Sequence, residues 1–194
     1  MSPGAVVTYS NKVRIVFQSN GRNNGDGFSA NWSRACGGTF NSEAGELVSP
    51  GYPVSYDNNL NCVYLITAPN QDYIVATFAD LFDVEWYRPH GRRCRYDRVL
   101  VQELSAAAPR TRGTFCGSET PPAMSARKAM KITFTTDYSV TKRGFKLTWT
   151  RHPCGGEMTE PGEFQSPVHP DNYFHNSNCT WIITAPADRA VEIK

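Results

Sequence analysis

An all-β protein, folded as an antiparallel two-sheet β-sandwich, is what this sequence predicts, and three observations predict it. Apolar residues recur at period two in short runs, and no stretch carries the 3.6-residue period of a helix. Proline stands between those runs, at Pro50, Pro53, Pro69, Pro121 and Pro122, where it costs no ladder hydrogen bond. Six cysteines lie far apart without a Cys-x-x-Cys pair, which suits structural disulfides better than a zinc ribbon or a redox site.

The predicted strands follow in order. CVYLITA (62–68) and YIVATFADL (73–81) are β-branched and aromatic runs; DRVLVQEL (97–104) and AMKITFTTD (129–137) come next, and GFKLTWT (144–150) closes the set. In the last, Phe145, Leu147 and Trp149 share one face while Lys146 and Thr148 take the other, the pattern of a half-buried strand. A composition 40% hydrophobic and 12% aromatic is enough for such cores. A net charge of +2 gives no electrostatic footprint for nucleic acid, and no run of about 18 apolar residues supplies a transmembrane segment. The opening MSPGAVVTYS lacks the basic start and apolar stretch of a secretory signal.

A repeat organises the chain. Gly27-Phe28 returns as Gly144-Phe145 (144 − 27 = 117), and Trp32 returns as Trp149 at the same interval. Ser49-Pro50 likewise returns as Ser166-Pro167, Cys62 as Cys179 and Thr67-Ala68-Pro69 as Thr184-Ala185-Pro186. A period of that size is a whole domain. It predicts one complete copy over residues 36–151, the C-terminal part of an upstream copy over 1–35 and the N-terminal part of a downstream copy over 154–194. The expectation is a piece of a longer polypeptide, which would account for the missing signal. Only the complete copy is expected to fold autonomously, because the partial sheet at 1–35 would leave its edge and apolar face uncovered.

Four cysteines in the complete copy allow three pairings. The downstream copy carries only Cys154 and Cys179, at nearly the spacing of Cys36 and Cys62. The economical scheme is therefore Cys36 with Cys62, Cys94 with Cys116 and Cys154 with Cys179. Disulfides among Gly- and Pro-punctuated strands point to an oxidising, extracellular or cell-surface setting. The sequons at Asn31 and Asn178 are candidate glycosylation sites compatible with it.

Taken in order, CGG, SPGYPVSYDNNLNC, FADLFDVE, CRYDRVLV, GTFCG, ITFTTDYS and RGFKLTW make the complete copy resemble the CUB domain, and the two partial copies match their respective halves. The resemblance implies a jelly-roll-like β-sandwich, the same disulfide scheme and, by position, a Ca²⁺ site. Glu85, Asp97 and Asp137 would be its carboxylate ligands, with a backbone carbonyl of Tyr138 or Ser139 as a further candidate, and Tyr56 would hydrogen-bond and orient the acids. Three converging carboxylates repel one another unless a hard cation sits between them, and Ca²⁺ accepts six to eight oxygens in loose geometry. Val140 stands where the family often has a polar residue, which removes one side-chain ligand. In the upstream copy Asn20 replaces the equivalent of Asp137.

Family members that bind this way use calcium to order loops around an inserted base. The same acids, Glu85, Asp97 and Asp137, would then receive a Lys or Arg of an extracellular protein ligand. Arg88, Arg92, Arg93, Arg95 and Arg98 form a basic run beside that site, either a solvated loop or a surface for an acidic or sulfated partner. Catalysis is not expected: no H-E-x-x-H, G-x-S-x-G or phosphate-cradling loop is present, and His90, His152, His169 and His175 are scattered among turns. The short connector TRHP between Trp149 and Cys154 favours a multi-CUB endocytic receptor of the cubilin-like kind, with adjacent CUB domains as neighbours in the chain. The alternative is the recognition region of a secreted tolloid-like or complement-type protease, or of a neuropilin-like receptor.

Overall fold

The computed structural model describes residues 14–22, 25–30, 36–69, 72–87, 94–105, 108–169, 172–175 and 177–194. Among them the order is β1 (Gly37–Phe40), β2 (Ala44–Val48), β3 (Asn61–Thr67), β4 (Tyr73–Asp83), β5 (Arg98–Glu103), β6 (Arg110–Phe115), β7 (Met124–Arg127), β8 (Ala129–Thr135) and β9 (Gly144–His152), then β10 (Gly155–Met158) and β11 (Thr180–Ile183). Five strands make one sheet in the order β1-β3-β8-β5-β6, four make a second in the order β2-β9-β4-β7, and β10 with β11 forms a separate pair. The all-β sandwich expected from the sequence is the observed architecture.

The two sheets meet through residues that alternate along their strands. Met130, Ile132 and Phe134 of β8 and Val99 and Val101 of β5 are buried from one side; Ile74, Ala76 and Phe78 of β4 and Phe145, Leu147 and Trp149 of β9 are buried from the other. Rings interlock across the gap, with Phe134 edge-on to Phe145 at 5.3 Å and Phe78 against Phe145 at 5.6 Å. Lys146 and Thr148 point outward, Lys146 pairing with Glu46 at 2.6 Å.

Two pairings depart from the antiparallel expectation. β1 runs parallel to β3, with Gly37 opposite Val63, and β10 runs parallel to β11, with Gly155 opposite Thr180. Both parallel pairs begin at a disulfide, Cys36–Cys62 and Cys154–Cys179. Here lies the reason for the repeated Cys-Gly-Gly. Gly37 has φ +114°, and an added Cβ would collide with the Val63 carbonyl; Gly155 has φ +101° and faces the Thr180 carbonyl in the same way. The bridge draws the strand start so close to its neighbour that no side chain fits. Cys94–Cys116 is the third disulfide, so all three predicted pairs are formed, and among the described residues no cysteine is free.

The strand β4 is longer than its sequence run because it bends. Its register against β9 shifts between Phe78 and Phe82, which pair with Leu147 and Phe145. The extra residues kink the strand, as bulges do, and keep both phenylalanines buried. Beyond the bulge, Val84 pairs with Gly117 in an isolated bridge that fixes the direction in which the chain leaves the sheet.

The tail before the sandwich is different. Residues 14–20 have no strand, and Ile15, Val16 and Phe17 are exposed. Among the described residues no helix is long and apolar enough to cross a membrane.

Candidate functional site

Four segments end at one rim of the sandwich. Glu85 follows the β4 bulge, Asp97 immediately precedes β5, Asp137 lies two residues past β8, and Tyr56 sits in the turn between β2 and β3. That last turn is drawn inward: the Tyr56 amide donates to the Lys142 carbonyl at 3.0 Å, and the Tyr56 ring packs edge-on to Phe134 at 5.1 Å. Gly144, at φ +85°, lies against Ser49, whose Oγ accepts the Phe145 amide at 3.0 Å. The loops are therefore anchored in the core by hydrogen bonds of the backbone itself.

Around this frame the three acids converge. Glu85, Asp97 and Asp137 each offer a carboxylate oxygen, and those oxygens lie within 4.8 Å of one another. Asp97 is 0% exposed, and both its oxygens are occupied. Its Oδ2 accepts the Tyr56 hydroxyl at 2.6 Å, and its Oδ1 accepts the Asp137 amide at 2.8 Å. The Tyr56 oxygen in turn accepts the Glu85 amide at 3.0 Å. Tyr56 is thus the link that holds two acid-bearing segments together.

Asp137 opens a local turn, its Oδ1 accepting the Ser139 amide at 2.8 Å. Behind it, Thr136 Oγ1 accepts the Leu60 amide at 2.8 Å and donates to the Asp57 carbonyl at 2.9 Å, while the Asn59 amide donates to the Asp137 carbonyl at 2.7 Å. Sequence reasoning missed Thr136 and Leu60 in this support. A threonine next to a named acid was the available signal, but its partners are 76 and 79 residues away.

The electrostatics are those of crowded acids. Burial, then the charges of Asp97 and Asp137, push the Glu85 carboxyl up, with Lys142 working in the opposite direction. Burial also raises Asp97, although its hydrogen bonds from Tyr56 and the Asp137 amide favour the charged form. Burial and the bond to Asp97 drive the Tyr56 phenol far above its ordinary value, so it remains a donor. Glu85 Oε2 is buried without a hydrogen-bond partner among the described residues. Such an orphaned oxygen is costly unless something positive faces it.

The donor set has the chemistry for a hard cation. It is made of oxygens only, without thiolate or imidazole, and oxygens on opposite sides of a Ca²⁺ stand about 4.6–5.2 Å apart. Of the basic run, Arg95 and Arg98 are exposed. Arg88, Arg92 and Arg93 lie outside the described residues, as does Asn31, whereas Asn178 is exposed just before β11.

A family model described as CUB domain matches residues 36–149 and 154–194. Cubilin of Canis lupus familiaris is 35% identical over 185 residues, covering 92% of this chain and 5% of its own length. Neuropilin-2 of Mus musculus is 34% identical over 159 residues, covering 77% of this chain and 16% of its own. The solved MASP-1 CUB2 domain bound to Ca²⁺ superposes with a TM-score of 0.52 at 28% identity, over 58% of this chain and 96% of that one. The chain thus spans a small part of the length of the cubilin and neuropilin relatives it matches. With a matching family model over most of its residues, relatives at 34% and 35% identity across most of the chain and a shared sandwich fold, this chain belongs to the CUB domain family.

Proposed function

We propose that this chain is part of a non-catalytic, extracellular multi-CUB receptor, and that its complete unit binds protein ligands in a calcium-dependent way. In this reading residues 36–151 form the complete unit, 1–35 the end of an upstream unit and 154–194 the start of a downstream one. Glu85, Asp97 and Asp137 hold Ca²⁺, with a carbonyl of Tyr138 or Ser139 as a further ligand and Tyr56 as support. The carrying observation is the buried, unpartnered Glu85 Oε2 in a cluster of three acids, which a divalent cation would satisfy. The solved relative named as bound to Ca²⁺ supports the choice of ion. Three carboxylates around one Ca²⁺ leave a net charge of about −1, able to receive a Lys or Arg of the ligand.

Likeness to cubilin across nearly the whole chain supports the endocytic receptor reading, and three disulfides support the extracellular one. The exposed Asn178 sequon fits the same compartment as a glycan acceptor. A second reading, the recognition region of a neuropilin-like receptor or a protease of the tolloid or complement type, is favoured by the match to Neuropilin-2 and the fold shared with MASP-1 CUB2.

The test is calcium titration of the 194-residue chain by calorimetry. One saturable site is expected, weakened at least tenfold in Glu85→Gln and lost in Asp97→Ala. Circular dichroism in chelator shows whether each variant is folded. Equal calcium binding by wild type and a folded Glu85→Gln would remove the assignment.

A further inference from the structure

Among the polar residues of the rim, three large apolar side chains are exposed beside the acidic cluster. Tyr138, next to Asp137, is 80% exposed; Val140 is 51% exposed, and Trp86, next to Glu85, is 43% exposed. Scattered surface apolar residues need no explanation, but these adjoin the two acids that retain exposure, Glu85 and Asp137.

Val140 carries a second sign. Its φ is +57°, in the left-handed region, which a β-branched side chain occupies only under strain. The segment is held there from both sides. Asp137 Oδ1 accepts the Ser139 amide at 2.8 Å, Ser55 Oγ donates to Thr141 Oγ1 at 2.9 Å, and the Lys142 carbonyl accepts the Tyr56 amide at 3.0 Å. Glycine or asparagine would fit this backbone without the cost. A strained, half-exposed valine gains the fold nothing through burial.

We infer that Tyr138, Val140 and Trp86 form an apolar collar that selects, at the acidic rim, a protein segment whose Lys or Arg is flanked by an apolar or aromatic side chain. The inference rests on the proposed reading that a base enters at Glu85 and Asp137. Charge complementarity gives the entry point: the ammonium or guanidinium meets the carboxylates, while its methylene stem lies along Val140 and Tyr138. The neighbouring apolar residue then leaves water against Tyr138 and Trp86. A base flanked by acidic or glycyl residues would make the first contact without the second. The side chains of Tyr138, Val140 and Trp86 thereby determine specificity, whereas the carboxylates only receive the base.

The experiment uses the 194-residue chain in saturating calcium against immobilised synthetic peptides that share one central lysine, with phenylalanine, leucine, glycine or glutamate on both sides. The phenylalanine and leucine peptides are expected to bind roughly tenfold more tightly than the glycine peptide, a difference that one partly buried side chain supplies. Trp86→Ala and Val140→Gly, neither of which adds or removes a proposed calcium ligand, should erase that preference while leaving the calorimetric calcium affinity unchanged. In chelator, where an added side-chain ligand has no ion to bind, Val140→Asn should raise the melting temperature by a few degrees, because asparagine tolerates the left-handed region better than a β-branched side chain. Equal binding of all neutral-flanked peptides overturns the collar and leaves base recognition standing. A preference that survives both variants overturns the collar as well. Absence of binding to every peptide, with calcium affinity intact, overturns both the collar and the base-recognition reading.

Discussion

Asp97 bears the most constrained charge at the rim: 0% exposed, it accepts the Tyr56 hydroxyl and the Asp137 amide and lies in oxygen-ligand range of Glu85. Its carboxyl and that of Glu85 both titrate above their ordinary values, chiefly through burial. A carboxyl raised in the folded state binds more protons there than in the unfolded chain, so its contribution to stability is present at low pH and lost as pH rises through the folded value. Without calcium, the cluster therefore destabilises the fold at neutral pH and is relieved on acidification. In the proposed reading calcium would reverse the sign, because it would bind the carboxylates and compete with their protons. The melting-temperature increment between excess calcium and chelator should accordingly be largest near pH 7.5 and shrink toward pH 5, and Glu85→Gln should reduce its pH dependence. Differential scanning fluorimetry across that range measures it; an increment that stays flat with pH contradicts the account. Asp97, Glu85, Asp137 and Tyr56 were named from the sequence only because the CUB resemblance assigned their positions, and the structure brings them together at one rim. The burial of Asp97 was not legible there, because it depends on partners 40 and 41 residues away in other loops.

Elements made of strong β-formers were legible; those made by their neighbours were not. The runs that became β3, β4, β5, β8 and β9 hold the core's β-branched and aromatic residues, and their burial alternates as period two requires. GGTF, AGELV, RTRGTF and MSAR, which became β1, β2, β6 and β7, are short and rich in Gly, Ala and Arg. They are strands because long central strands offer them a ladder. The parallel start of β1 is the sharpest case, since a repeated Cys-Gly-Gly signals its presence without its direction. Two adjacent glycines there separate the causes. Gly37→Ala meets the Val63 carbonyl at φ +114° and should cost about 2–4 kcal/mol in urea unfolding, the range of backbone strain combined with a clash. Gly38→Ala, whose Cβ finds only the flexible Phe40 ring at 3.5 Å, should cost less. Equal costs would mean that backbone conformation alone, not close strand approach, explains the motif.

Across the whole molecule, the 117-residue period survives in the described residues of the tail as local geometry, with no strand among them. Phe17 and Phe28 contact at 5.6 Å where their equivalents Phe134 and Phe145 contact at 5.3 Å. Gly27 keeps φ +71° beside +85° at Gly144, and Asn20 Oδ1 accepts the Arg22 amide at 3.0 Å as Asp137 accepts that of Ser139. Turns and ring pairs are encoded locally, whereas strands are completed by partners that sit elsewhere in a copy. Limited proteolysis is therefore expected to trim residues 1–35 while sparing a core near 36–151; a stable product retaining the tail would contradict it. Within that core the disulfides and the proposed ion would contribute on different scales. Cys36–Cys62 and Cys94–Cys116 span 26 and 22 residues, and in the chain-entropy model each stabilises by about 3.5 kcal/mol. A ligand at one hundred times its dissociation constant adds only about 2.7 kcal/mol. Against a total of about 5–15 kcal/mol for a domain, calcium at that concentration would not offset the loss of either bridge. Cys94–Cys116 also tethers the chain three residues before Asp97, so its loss loosens the site that calcium would use. The double variant Cys94→Ala, Cys116→Ala, measured by urea unfolding in excess calcium, should be less stable than the wild type in chelator. A calcium-loaded variant that matched or exceeded that reference would show the ion, rather than the covalent frame, to be the dominant constraint on this rim.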